Sequence, residues 1–293
     1  MCKDWAGTED FREIRPCPVL LSLEKMLLTT RSKQVRQIFQ EREKLIDLGR
    51  QEVKHRHEPY RPLHEVLADG SWAEQPCFII GGGPSLTGFD FNRLQGKGKV
   101  IAVNRALEYA PWADVIFFMD WKLYKRYHDN SANKALWDRC TGEKVFLNLM
   151  GRRVEDVRSI RSRGRTGISR SLAQGLYHGS NSGFGALGLA ITLKANPIYL
   201  LGYDMRQKAG KTHFHSGYGT RSHGGVCQVF LKPFNSLEDK FKAYPHIVNL
   251  CPASALRIFR FGNIDEVLNG NARQSVGADG PALLDAIPAS TPA

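Results

Sequence analysis

Residues 78–86 read FIIGGGPSL, a short apolar run that ends in three glycines, a proline and a serine. The run is too short for a helix and fits a buried strand, after which Gly81, Gly82 and Gly83 form a turn. Glycine there lets backbone N–H groups approach a large anion, and a following helix would add its positive end. We therefore predict that this turn touches a phosphate. A tight turn without a ligand is the alternative.

The turn matches neither of the common phosphate-binding fingerprints. No Gly-Lys-Ser/Thr follows it, as a Walker loop requires. Leu86 stands where the dinucleotide fingerprint has its third glycine, and no acidic residue ends the next strand. The glycines alone are therefore a weak signal, and the neighbouring strands must decide.

Further short apolar runs follow the first at helix-length intervals. A segment rich in small residues, 182–195, has the character of a helix packed tightly on a sheet. Buried strands that alternate with helices predict an α/β fold with a Rossmann-like, mostly parallel open sheet, where ligands bind beyond the carboxyl ends of the strands. The predicted strands are 77–81, 99–103, 114–119, 144–149, 197–201 and 246–250.

Three regions are predicted along the chain. Residues 61–268 form the nucleotide-binding catalytic domain. Residues 1–60 form an N-terminal helical extension, because an apolar stripe runs along 31–57; this helix would pack on the main domain or on a second subunit. The tail 269–293, rich in Gly, Ala, Pro and Ser, is predicted to be disordered.

The composition bounds the partners and the compartment. Forty-one Lys and Arg against 29 Asp and Glu give a net charge of +12, which suits a nucleotide, a nucleic acid or an acidic surface. The six cysteines are scattered without a C-x-x-C pair, as in a reduced compartment. No signal-like segment and no long apolar stretch is present, so we expect a cytoplasmic protein that does not enter a membrane.

Polar residues follow the other predicted strands or open a helix. Each one alone is more simply a cap or turn residue. Together they would lie at the sheet edge that carries the glycine turn, and this convergence predicts a nucleotide-binding cleft. The residues are Asn104, Asp120, Asn181, Ser182, Gly183 and Asp204.

The stretch 205–226 is glycine-rich and basic and lacks apolar periodicity, which is typical of a functional lid or a disordered insert. His213 and His215 would share a face of an extended segment. We predict that one of them is a general base on a lid that closes over a nucleotide, while the other is structural. A metal site is the weaker alternative, because a third ligand at a set spacing is missing.

The motifs, taken in order, resemble a known family. IIGGGPSL, VIAVNRA, NSGFGALGLAITLKANPIYLLGYDM and IVNLCPASAL are similar to the bacterial CMP-sialic-acid-dependent sialyltransferases and the related domain of motility accessory factors. That group also includes archaeal pterin pyrophosphokinases, and the chain looks closest to phage-encoded members. The resemblance covers roughly residues 76–260.

The resemblance implies a glycosyltransferase that needs no metal or other cofactor and transfers a sugar from a nucleotide-activated donor to a hydroxyl acceptor. A lid histidine, His215 or His213, would deprotonate that hydroxyl, with Asp204 nearby. Gly82, Asp120 and Arg206 depart from the family, which has asparagine, asparagine and a leaving-group tyrosine there; Tyr218 could substitute for the tyrosine. The implied donor contacts are Gly81, Gly83, Pro84, Ser85 and Asn104 for the nucleotide, and Asn181, Ser182 and Gly183 for the sugar.

Two other functions remain open. Asp120 and Asp204, expected at adjacent strand ends, could hold Mg²⁺ on a diphosphate, as in a pterin-type diphosphokinase. The arginine-rich stretch 151–170 is either a solvated, mobile loop or a surface that follows a phosphate backbone. In the second case the partner would be DNA, as the acceptor or as the ligand of a non-enzymatic phage protein.

Overall fold

The computed structural model describes residues 61–152, 154–207, 211–215 and 226–270. Within these residues the chain forms strands β1 Cys77–Ile80, β2 Lys99–Val103, β3 Val115–Phe118, β4 Glu143–Asn148, β5 Arg158–Gly164, β6 Leu176–Tyr177, β7 Ile198–Leu201, β8 Ile247–Asn249 and β9 Arg260–Phe261. The helices are α1 Trp121–His128, α2 Ser131–Asp138, α3 Ser182–Thr192, α4 Val226–Asn235, α5 Glu238–Phe241 and α6 Ile264–Leu268.

The strands of this part of the chain form one parallel sheet in the order β6-β5-β4-β3-β2-β1-β7-β8-β9. The central strand β1 pairs with β2 and β7, so that Cys77 lies between Lys99 and Ile198. All six predicted strands are present, with ends shifted by at most one residue. The predicted Rossmann-like α/β fold is therefore confirmed.

The strands β1, β3 and β7 are apolar throughout because both faces of the sheet are covered there. In β1, Cys77 and Ile79 contribute to the core that includes α3, whereas Phe78 and Ile80 contribute to the core that includes α1 and α2. All four side chains are buried. A strand buried on two faces needs no polar positions, which explains the short unbroken apolar runs of the sequence.

Helix α3 begins at the residue that the sequence indicated. The side-chain oxygen of Asn181 accepts a hydrogen bond from the Phe184 N–H at 2.8 Å, which caps the helix. The helix ends at Thr192, three residues before the predicted end. Its glycines let it approach the sheet, since a Cβ on Gly185 would lie only 2.9 Å from Leu147 Cδ2.

The crossovers beside β1 differ from the expected α-helices. Short 3-10 helices at Pro84–Leu86, Phe91–Leu94 and Asn104–Glu108 connect β1, β2 and β3. Gly88 and Gly96 interrupt the first connection with φ of +79° and +70°, which a right-handed helix does not allow.

The arginine-rich stretch is also different from a mobile loop. Its residues 158–164 form β5, which pairs with β4 from Val145 opposite Arg158 to Asn148 opposite Arg161. Burial of Ile160 in the core holds this strand in the sheet despite its polar composition.

The predicted helical extension 1–60, the tail from 271 onward and Tyr218 lie outside the described residues.

Helix α3 supplies a stability test with an internal control. We expect Gly185→Ala to lower the free energy of unfolding by about 1–2 kcal/mol, because overpacking against Leu147 and Phe117 exceeds the gain in helix propensity. A Cβ on Gly188 would lie 3.2 Å from its nearest neighbour, Ser169 Oγ. We therefore expect Gly188→Ala to leave the free energy of unfolding unchanged or to raise it by up to about 1 kcal/mol. Urea unfolding of both variants measures this. Equal effects would contradict the packing described.

Candidate functional site

The glycine turn lies where the sheet reverses its direction of winding. From β1 the chain proceeds to β2 and on to β6, whereas β7 and β8 lie on the other side of β1. The carboxyl ends of β1 and β7 are therefore neighbours at a topological switch point, where open α/β sheets bind their ligands. Gly81 follows β1 and Gly202 follows β7 at this point.

The two strand ends approach each other closely. The N–H of Gly81 donates to the Leu201 carbonyl at 2.7 Å, and the N–H of Gly83 donates to the Gly202 carbonyl at 2.8 Å. A Cβ on Gly83 would lie 2.6 Å from the Gly202 oxygen. Glycine is thus required here by the neighbouring backbone. Among the three turn amides, only that of Gly82 has no hydrogen-bond partner in the described residues.

Asp204 fastens the turn to the end of β7. The residue is 4% exposed, and its carboxylate accepts hydrogen bonds from the Ser85 N–H at 2.9 Å and the Ser85 hydroxyl at 2.7 Å. Pro84, which lies between Gly83 and Ser85 in the sequence, begins the short 3-10 helix Pro84–Leu86. The arrangement makes Asp204 a positioning residue for the turn, while a catalytic role for it stays a prediction.

Residues 211–215 of the predicted lid lie over the glycine turn. The Phe214 N–H donates to the Gly82 carbonyl at 3.1 Å, and the Phe214 ring packs on Phe91 and Tyr109 with centroid distances of 5.4 and 4.9 Å. His213 and His215 flank this anchor, and their rings stack at 5.3 Å. Both candidate bases are therefore held beside the switch point.

A largely buried ion pair lies beside the histidines. Arg105 donates from Nε and Nη2 to the two oxygens of Glu108 at 2.7 and 2.8 Å, and the Tyr127 hydroxyl donates to Glu108 at 2.6 Å. The side chains of Arg105 and Glu108 are only 11% and 14% exposed. Burial alone would raise the pKa of Glu108, but the hydrogen bonds from Arg105 and Tyr127 lower it, so the pair is ionised.

The surroundings keep both histidines neutral. Burial, followed by the charges of Arg105 and His213, lowers the pKa of His215 from 6.5 to about 4, although the charge of Glu108 acts in the opposite direction. Burial and Arg105 also lower the pKa of His213. Near pH 7 each imidazole is unprotonated on one nitrogen and can accept a proton.

Asn104 has a strained backbone and an unsatisfied side chain. Its φ is +54°, and its Oδ1 is buried without a hydrogen-bond partner in the described parts of the chain. Two other non-glycine residues at this edge, Ser180 and Met205, have φ of +60° and +49°. Strain and unpaired buried acceptors are typical of ligand-binding positions.

The residues that open α3 have mainly structural partners. Asn181 Nδ2 donates to the Gly179 carbonyl at 3.1 Å while its oxygen caps the helix. The Gly183 carbonyl accepts a hydrogen bond from the Tyr203 hydroxyl at 2.9 Å, which ties the helix start to the segment that follows β7. Ser182 is buried at the first helical position.

Asp120 and Arg206 lie toward solvent. Asp120 caps α1 by accepting from the Lys122 N–H at 2.8 Å, and Arg206 Nη1 donates to the Ala253 carbonyl at 3.2 Å. The expectation that Asp120 and Asp204 follow adjacent strands is wrong. They follow β3 and β7, which β2 and β1 separate by about 14 Å in all, too far for one Mg²⁺. No group of three or more His, Cys, Asp or Glu in the described ranges is placed to hold a metal.

Sequence reasoning missed the network around Glu108. The spacing of Arg105 and Glu108 is that of an ion pair on one helical turn, which was the available signal. Tyr127 comes from α1, nineteen residues away, and no local pattern links it to Glu108.

No protein-family model matches the chain, and no curated protein matches it. Among solved structures it is similar to the sialyltransferase CstII of Campylobacter jejuni with a substrate analogue, cytidine-5′-monophosphate, at 17% identity and a TM-score of 0.41 over 64% of this chain and 85% of that one. A second structure, the sialyltransferase CST-II with a trisaccharide acceptor and CMP, is 17% identical and has a TM-score of 0.39, over 63% of this chain and 84% of that one. At this level no residue role or substrate is carried over. The links to pterin pyrophosphokinases and to phage members stay predictions.

The described helices include none that is both long and apolar enough to span a membrane.

The lowered histidine pKa values predict a loss of stability in mild acid. Unfolded histidines protonate near pH 6.5 but folded His215 only near 4, so the unfolded state binds more protons as the pH falls between these values. We expect the free energy of unfolding to decrease over this range, and to decrease less in His215→Gln. Urea unfolding at several pH values measures the difference between the two proteins. If the free energy of unfolding fell equally with pH in both proteins, the lowered pKa of His215 would be contradicted.

Proposed function

We propose that this protein is a glycosyltransferase-like enzyme that moves a sugar from a nucleotide-activated donor to a hydroxyl group. The observation that carries the proposal is the pair of partly buried histidines held over a glycine turn at the switch point of a parallel sheet. A ligand bound there would lie between the strand ends and the lid segment that carries both imidazoles.

The proposed reaction is a displacement at the anomeric carbon. The acceptor oxygen forms its bond to this carbon as His215 or His213 takes the hydroxyl proton. The bond from the carbon to the phosphate oxygen breaks, and the nucleotide leaves with the electron pair. An imidazole with a pKa of about 4 is a weak base, but an anionic donor beside it would raise that pKa. The base would therefore strengthen when the donor is bound.

The donor would be held by groups at the same sheet edge. The Gly82 N–H is available for a phosphate oxygen, and the Asn104 Oδ1 for a ligand hydroxyl or amino group. The first N–H groups of α3, at Ser182 and Gly183, have no partners within the helix and lie at its positive end. Arg105 would contribute only part of its positive charge to the departing phosphate, because Glu108 compensates it. Arg206 and Tyr218 remain the proposed leaving-group contacts.

The donor can be identified by thermal shift. We expect one nucleotide or nucleotide sugar from a panel of CMP, UDP, GDP and ADP derivatives to stabilise the protein in EDTA. A ligand at a hundred times its Kd adds about 2.7 kcal/mol to the free energy of unfolding, which gives a visible shift of Tm. If only purine nucleotides stabilised the protein, and only in the presence of Mg²⁺, the result would instead favour a diphosphokinase. No stabilisation by any member would contradict the proposal.

Turnover separates catalysis from binding. We expect His215→Ala or His213→Ala, whichever removes the base, to lower kcat by about 10²- to 10⁴-fold while the donor still shifts Tm. The matched control is His64→Ala, because His64 is exposed and lies outside the cleft residues. Full activity in both lid variants would exclude histidine as the base.

A further inference from the structure

The charge of the chain is distributed unevenly along its sequence. Residues 157–203 contain five arginines and one lysine but neither Asp nor Glu. Most of these arginines belong to β5 or follow it within a few residues. We call Arg161, Arg163, Arg165 and Arg170 the β5 arginine cluster; all four are exposed.

Two members of the cluster are held side by side by neutral partners. Arg161 donates from Nε to the Gln174 carbonyl at 3.2 Å and from Nη2 to the Ala173 carbonyl at 2.8 Å. Arg163 donates to Gln174 Oε1 at 2.7 Å. Neither pairs with a carboxylate in the described chain, whereas Arg158 lies 3.3 Å from Glu65. The guanidinium groups are thus oriented while their charges stay uncompensated.

The other two members continue this surface. Arg165 is close enough to His178 for its charge, after burial, to lower the pKa of that ring. Arg170 follows Ser169, whose hydroxyl accepts from the Tyr177 N–H, and Arg163 lies over the Tyr177 ring at 5.4 Å. No side-chain partner of Arg165 or Arg170 occurs among the residues that the structure describes.

We propose that the β5 arginine cluster binds the phosphate backbone of a single nucleic-acid strand. Arg161 and Arg163 are two positions apart on an extended strand, about 6.6 Å, which is close to the spacing of successive phosphates in an extended nucleic acid. Guanidinium groups bind phosphate oxygens well because their fork matches two acceptors. A membrane surface is less suited, since residues 158–177 contain none of the exposed large hydrophobic side chains of the described chain.

The cluster leads toward the candidate cleft. The Gly164 carbonyl accepts from the His178 N–H at 3.1 Å, and the Arg165 carbonyl accepts from the Gly179 N–H at 2.9 Å. The bonded segment enters α3 at Asn181 two residues later. A strand bound on the cluster would therefore reach the carboxyl edge of the sheet. Binding itself goes beyond sugar transfer and does not depend on it.

Fluorescence anisotropy with a labelled single-stranded oligothymidine and the full chain tests the proposal over a range of KCl concentrations. We expect Arg161→Ala/Arg163→Ala/Arg165→Ala to weaken binding at least tenfold at low salt. The slope of log K against log salt should become shallower by about 2, because each lost phosphate contact removes about 0.7. Arg165→Ala/Arg170→Ala removes no side-chain hydrogen bond or ion pair within the described residues and should show a smaller change of the same sign.

The control variant removes equal charge elsewhere. Arg139→Ala/Lys232→Ala/Lys240→Ala alters three exposed cations outside the cluster and should bind almost as the unaltered chain does. Equal weakening by this control, or no weakening by either cluster variant, would overturn the proposal. Tighter binding to duplex DNA or to anionic phosphatidylserine vesicles would overturn the assignment to a single strand. His215→Ala should bind normally, so a failure of the transfer reaction and a failure of this surface remain distinguishable.

Discussion

The hydrogen bond from the Gly83 N–H to the Gly202 carbonyl joins the two strand ends on which the site depends. It brings the turn after β1 against the end of β7, where Asp204 receives Ser85. The turn presents the Gly82 carbonyl that anchors the lid segment, and the segment after β7 presents the Tyr203 hydroxyl that holds the start of α3. Four separate stretches of chain are positioned from this one contact.

Glycine is therefore needed for different reasons at the three positions of the turn. The backbone at the end of β7 fills the space that a Cβ on Gly81 would need, and the Asp204 carboxylate and the Gly202 carbonyl fill it at Gly83. Both amides donate to the carbonyls of Leu201 and Gly202. Gly82 faces His213 instead, and its amide is the one without a partner in the described residues. A glycine triplet that suggests a phosphate cradle can thus be mainly a packing device, with one position left for a ligand.

Charge is arranged differently at the two basic surfaces. In the cleft, Arg105 is compensated by Glu108, so the local field is modest and the histidines are kept neutral by burial first. On β5 the arginines have neutral partners, and their field extends into solvent. The first arrangement suits proton transfer, and the second suits a long polyanion.

The six apolar strands, helix α3 and its cap at Asn181 could be predicted from the sequence, because burial on both faces and helix capping leave local patterns. Strand β5 could not, since Ile160 is the one apolar residue among its arginines and serines, and no alternating pattern marks it as a strand. The position of the glycine turn at a carboxyl edge could also be predicted, because the glycines directly follow an apolar strand in the sequence. Strand order, however, places Asp120 far from Asp204 and brings Tyr127 to Glu108 and His215 near Arg105. These relations arise from crossovers between distant segments, whose direction is decided by packing of the whole sheet and not by any short stretch of residues.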